Sequence, residues 1–145
     1  LRGMYTYSDF YFSSGDYRGK KLAGVPPHYL TGTVEYNYLG KFFLAANVES
    51  QPQRSPIDHT NTVYQPAYTI FGLRAGVEGW KDFSFYVEGK NILNKSYASS
   101  YVISDQILLP PIPFPNFTAD NLAFFMPGQL RAIYVGVSYR FKDSG

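Results

Sequence analysis

The chain has 145 residues and a formal charge of +2, with 13 Lys and Arg scattered among 11 Asp and Glu. Such a balance gives no electrostatic case for a nucleic-acid partner, and the absence of cysteine excludes a disulfide framework and a thiolate metal site. No apolar run reaches the roughly 18 residues of a spanning helix, so a place in a membrane would have to be taken by strands. Aromatic residues make up 19%, with 14 Tyr and 12 Phe against one Trp. Tyrosine has an apolar ring and a polar tip, which suits a boundary between lipid and water.

Leu1 to Phe12 alternates weakly, with Tyr5 and Tyr7 opposite Met4, Thr6 and Ser8, and is expected to be a strand. Because strand pattern starts at once, no signal peptide is legible and the N-terminus is expected to be an interior cut. Ser13 to Pro27 reads as a loop. His28 to Tyr38 alternates cleanly, with Leu30, Gly32, Val34, Tyr36 and Tyr38 on one face and Tyr29, Thr31, Thr33, Glu35 and Asn37 on the other. Pro26 and Pro27 stop it from extending backward, since proline cannot donate to a ladder. From Phe42 the pattern resumes, with Phe42, Leu44, Ala46 and Val48 opposite Phe43, Ala45, Asn47, Glu49 and Gln51. Residues that oppose each other must share a face, so Tyr38 should pair with Phe42 across the short turn Leu39-Gly40-Lys41, and Val34 with Ala46.

Pro52 to Pro66 is expected to be a polar loop. Tyr68 to Gly79 then places Phe71, Leu73, Ala75 and Val77 on the apolar face, and Phe83 to Asn91 does the same with Phe83, Phe85 and Val87. Pairing Val77 with Phe83 predicts a second tight turn, Gly79-Trp80-Lys81. Leu93 to Gln129 reads as one very long loop that Pro110, Pro111, Pro113, Pro115 and Pro127 keep out of any ladder. The last strand, Leu130 to Phe141, has Ile133, Val135, Val137, Tyr139 and Phe141 on a wholly apolar face. At about 10 residues it can cross a hydrocarbon layer when tilted.

All the long loops fall at one end and the tight turns at the other, the asymmetry of an outer-membrane barrel with short periplasmic turns and long extracellular loops. Tyr36, Tyr38, Phe42, Trp80, Phe83, Tyr139 and Phe141 gather at the tight-turn end as an interfacial girdle. Glu35, Asn47, Glu49, Arg74, Glu78, Glu88, Lys90 and Arg140 face the other way, toward a watery lumen, where some are expected to pair across strands. The alternative is a soluble all-β binding module of the lipocalin type, in which the apolar face would be the interior.

Five segments in order carry a family resemblance: Gly24-Val25-Pro26-Pro27-His28, Pro66 to Arg74, Asn91-Ile92-Leu93-Asn94-Lys95-Ser96-Tyr97, Pro127-Gly128-Gln129-Leu130-Arg131, and Gly136 to Phe141. Together they resemble the C-terminal part of the β-barrel of TonB-dependent outer-membrane receptors. The resemblance implies an all-β, antiparallel transmembrane segment over residues 1–141, with about six C-terminal strands of a barrel of about 22 strands that surrounds a plug, followed by a tail at 142–145. Neither a plug nor a TonB box is present among these residues. The expectation is one piece of a barrel completed by further strands and a plug, possibly on another polypeptide, set in outer-membrane lipid and driven by TonB through that plug.

The resemblance implies active uptake of a ferric siderophore, with haem, cobalamin, copper or an oligosaccharide as alternatives, and no enzymatic step or cofactor. The loop aromatics Tyr64, Tyr101, Phe114, Phe117, Phe124 and Phe125 are the candidate platform for an apolar or aromatic chelate. His28 and His59 are too far apart in sequence to suggest a metal site. A barrel lipase finds no support, because no nucleophile elbow is present and Asp58 is merely the sequence neighbour of His59.

Overall fold

The computed structural model describes residues 1–107 and 123–141. Its elements are β1 (Arg2–Tyr7), β2 (His28–Tyr38), β3 (Phe42–Gln51), β4 (Ser55–Pro56), β5 (Tyr64–Gln65), β6 (Tyr68–Trp80), β7 (Phe83–Lys90), β8 (Ala98–Tyr101), β9 (Phe125–Pro127) and β10 (Ala132–Tyr139). Six of them form one antiparallel sheet in the order β1-β2-β3-β6-β7-β10, while β4-β5 and β8-β9 are separate two-stranded ladders in the loops. The expected tail, residues 142–145, lies outside the described residues, as do the four prolines between 110 and 115.

Strand parity carries the apolar face across the whole sheet. Tyr5 opposes Leu30, Val34 opposes Ala46 and Tyr38 opposes Phe42, Ala46 opposes Leu73, Ala75 opposes Val87, and Val87 opposes Val135. These side chains are bare: Ile133 and Val135 stay 72% and 71% exposed. The buried apolar side chains among the described residues, Ala23, Ile57, Val63, Tyr68 and Ala98, lie in the loops or at the loop ends of strands. A water-soluble chain of this size would hide its Val, Leu and Phe. Here the apolar face has hydrocarbon as its solvent, the reverse of a soluble binding barrel.

The opposite face is polar and lies flat at the tight-turn end. Gly76 opposes Phe43 and Gly136 opposes Tyr86, and each glycine receives the facing ring, which a Cβ would strike. The Arg74 guanidinium lies 5.3 Å from the Phe43 ring and 4.6 Å from the Tyr86 ring, although Glu88 stands opposite it in register. Glu88 pairs instead along its own strand, with Lys90 at 3.9 Å. Cation–π contact takes the place of the cross-strand pair.

Three expectations need correction. The first strand stops at Tyr7, and the chain then folds back so that Tyr11 bridges Lys21. The β6-β7 register is shifted by two residues: Val77 faces Phe85 and Trp80 faces Phe83, with a bulge between. The turn is therefore Lys81-Asp82, both at positive φ (50° and 69°), preceded by Gly79 at 65°. Primed two-residue turns match strand twist, which explains the tighter closure, and a shift of two leaves every face unchanged. Finally, the segment from Leu93 to Gln129 contains a ladder, in which Ala98 is paired with Pro127; a two-stranded ladder has free edges on which proline needs no donor.

At the tight-turn end the rings touch: Phe83 and Tyr139 are 4.7 Å apart and Tyr139 and Phe141 4.9 Å. Lys81 holds its ammonium 5.4 Å from the Trp80 ring.

Val135→Arg is expected to block membrane assembly and Ser138→Arg to leave it nearly intact, since arginine on a lipid face near midplane costs about 2–4 kcal/mol and a lumen arginine costs little. Heat-modifiable electrophoretic mobility of the inserted barrel reads this, and equal effects would overturn the face assignment. Trp80 fluorescence is expected to be quenched most by lipids carrying a quencher at headgroup depth, because the ring stands outward beside Phe83 at the girdle. Best quenching from the bilayer centre would contradict it.

Candidate ligand site at the loop end

Three loops at this end are fastened to one another. The first joins the second through Gly24 N–H to the Pro56 carbonyl (2.8 Å). It also joins through the reciprocal pair in which Lys21 N–H donates to Asn61 Oδ1 (2.7 Å) and Asn61 Nδ2 donates to the Lys21 carbonyl (2.9 Å). The second joins the third where His59 N–H donates to the Ser104 carbonyl (3.0 Å) and Thr60 N–H to that of Asp105 (3.2 Å). Asp58 is the hub. Fully buried, it accepts the backbone N–H groups of Thr62 (2.8 Å) and Val63 (3.0 Å) and both the Thr60 and Thr62 hydroxyls. Burial pushes its carboxyl up, but these donors outweigh burial and hold it below its ordinary value.

The segment Asn91 to Tyr97 is a clamp across the base of the third loop. Asn91, buried and at φ 46°, donates from Nδ2 to the carbonyls of Lys95 (2.8 Å) and Gln129 (2.9 Å) and accepts Lys95 N–H at Oδ1 (2.9 Å). Asn94 Oδ1 accepts Arg131 N–H (3.1 Å), and Gly128 N–H donates to the Tyr97 carbonyl (2.8 Å). The Tyr97 ring covers Gly128, where any Cβ would collide with it, and lies 4.8 Å from Tyr68. Burial, then the negative charge of Glu49, pushes the Tyr97 hydroxyl up.

Of the six loop aromatics expected to form a platform, three converge. Tyr64, Tyr101 and Phe125 line a hollow of about 150 Å³ with Ile57 and Pro66. The Tyr101 and Phe125 rings are 5.8 Å apart, and Arg54 stands 4.5 Å over Tyr64. Phe124 is 77% exposed and does not line it. Phe114 and Phe117 lie outside the described residues.

A second hollow, of about 290 Å³, opens beside it and shares Tyr101. Its walls include Tyr29, Glu49, Gln51, Gln65 and Tyr68. Tyr68 donates its hydroxyl to Glu49 Oε1 at 2.9 Å, and Tyr29 stands in the same wall. Sequence reasoning assigned Glu49 to the lumen wall and overlooked the two tyrosines. The signal was their parity, since Tyr29, Glu49 and Tyr68 all fall on the inward face of successive strands.

The histidines do not meet. His28 stands on the outward face of β2, 2.8 Å from the Tyr5 hydroxyl. His59 packs between Phe12 and Tyr17 at ring distances of 5.1 and 5.6 Å. Asp58 is engaged by the two threonines, so it does not orient His59. Among the described residues no three His, Cys, Asp or Glu side chains gather as a metal site.

The family model described as TonB dependent receptor-like, beta-barrel matches residues 1–92. No curated protein matches the chain.

The depressed Asp58 carboxyl gives the loops stability that is present above the ordinary carboxylate range and lost as pH falls through the lowered value. Hydrogen-exchange protection at Thr62 and Val63, corrected for intrinsic rates, is expected to persist at mildly acidic pH and to collapse below it. Asp58→Ala should remove that protection at every pH, because each stranded buried donor costs about 1–3 kcal/mol, while β-sheet protection is retained. Unchanged protection in the variant would show that the carboxylate is not the hub.

Proposed function

Because the chain belongs to the family of TonB-dependent receptor β-barrels, we propose that it builds part of the C-terminal wall of an importer that takes up a ferric siderophore with TonB-coupled energy. Receptors of this family are transporters of the Gram-negative outer membrane, not enzymes. The observation that carries the proposal is the sidedness of the sheet: apolar outward, polar inward, closed by tight turns at one end and roofed by interlocked loops at the other. Ligand meets the loop end first, where Tyr64, Tyr101 and Phe125 offer aromatic faces and the wall beneath is hydrogen-bonding.

No bond of the ligand is made or broken along this route. Loops that hold each other by backbone hydrogen bonds keep the aromatic hollow formed before ligand arrives, which lowers the ordering cost of capture. Energy then enters from the other side, through TonB acting on a plug in the lumen. The Phe43, Arg74 and Tyr86 layer supports this path, since rings lying flat on Gly76 and Gly136 leave the lumen clear. Haem and copper are supported less well, as both histidines are occupied elsewhere.

In the full receptor, deletion of residues 108–122 removes none of the described strands, and the barrel is expected to insert as before. Uptake of radiolabelled ferric siderophore by cells should fall sharply in the variant, and uptake by the parent receptor should vanish without TonB. Normal uptake by the deletion variant would remove this loop from capture, and TonB-independent uptake would overturn the importer reading.

A further inference from the structure

The hollow of about 290 Å³ at the loop end is lined by a single charged side chain, Glu49. Among the described residues Glu49 forms no ion pair. The cation of the adjoining hollow, Lys90, is held 3.9 Å from Glu88 and 5.2 Å over the Tyr134 ring. One tyrosine hydroxyl fixes the carboxylate in place, that of Tyr68 at 2.9 Å, and Tyr29 lines the same hollow. A carboxylate has about four acceptor positions, so one bond leaves it unsaturated.

Two neutral amides share the wall. Gln51 spends its amide nitrogen on Ser55 Oγ (3.0 Å), and Gln65 spends its own on the Ala98 carbonyl (3.1 Å). Gln51 is left with its acceptor oxygen, since its nitrogen also reaches the Gln53 carbonyl (3.4 Å), and Gln65 keeps its oxygen and one N–H. A cavity lined by an unpaired carboxylate, amides and aromatic rings, with no cationic side chain, repels an anion and suits a group that is all donors and positively charged.

We propose that the hollow beside Glu49 binds a primary ammonium group of the transported ligand, with the carboxylate pairing its charge and Tyr29 and Tyr68 flanking its methylene stem. This assignment rests on the importer reading and narrows it: the cargo is a neutral or cationic chelate with an amine-bearing arm, not a polyanionic one.

The purified full receptor tests this with three probes: ferrioxamine B, which carries a free ammonium; its N-acetyl derivative, which does not; and ferric enterobactin, a trianion. The parent protein is expected to bind ferrioxamine B about tenfold or more tightly than the acetylated form, the scale of one charge-assisted hydrogen bond. Glu49→Gln keeps an acceptor for Tyr68 and should erase that difference at unchanged barrel yield. Equal binding of the first two probes by the parent receptor, or preference for the trianion, would overturn the assignment without any recourse to the variant. TonB-dependent uptake of ferric enterobactin would leave the importer reading standing and remove the ammonium site. If no probe enters with TonB dependence, both readings fall.

Discussion

A backbone N–H or C=O in hydrocarbon has no water to bond, and everything in this sheet answers to that constraint. β2, β3, β6 and β7 are paired on both sides, so their main-chain groups are satisfied within the sheet. β1 and β10 are paired on one side only, and their other edges need further strands before the sheet can rest in a bilayer. Side chains follow the same logic, with Val, Leu and Phe turned toward the solvent that accepts them. The girdle of Trp80, Phe83, Tyr139 and Phe141 marks where that solvent ends.

Beyond the membrane the constraint is lifted and a different economy applies. The loops are too long to be held by their strands alone, and they build a small interior of their own around Ile57 and Val63, with Asp58 satisfying donors that the β4-β5 hairpin would otherwise bury unpaired. One carboxylate thus replaces what a hydrophobic core supplies elsewhere, at the cost of sensitivity to acid. The Asn91 clamp does similar work one loop further on. It keeps the two legs of the longest loop together where they leave β7 and enter β10, so whatever happens at its tip does not unzip the barrel wall.

These two regions meet at Glu49, Tyr29 and Tyr68. The strands supply rigid positions and the loops supply a roof, a division of labour that gives precision to polar groups and adaptability to aromatic ones. Tyr101 belongs to both hollows, so the aromatic hollow and the wall that carries Glu49 adjoin.

The sequence by itself determined which face of each strand meets lipid, because side-chain alternation is a local property of period two that survives even the two-residue error at Lys81-Asp82. It also determined the β2-β3 register, since a short turn leaves few ways to close, and the resemblance carried by the Asn91 to Tyr97 segment. It did not reveal that this segment is a clamp, that Lys21 and Asn61 hold two loops together, or that Tyr68 reaches Glu49. β3 and β6 are joined through a long loop, and no local rule sets the register between strands so connected. Only the tertiary structure decided those contacts: loop docking depends on buried carboxylates, left-handed asparagines and carbonyls finding partners far along the chain, and such partners come into view only once the sheet has placed the loop ends side by side.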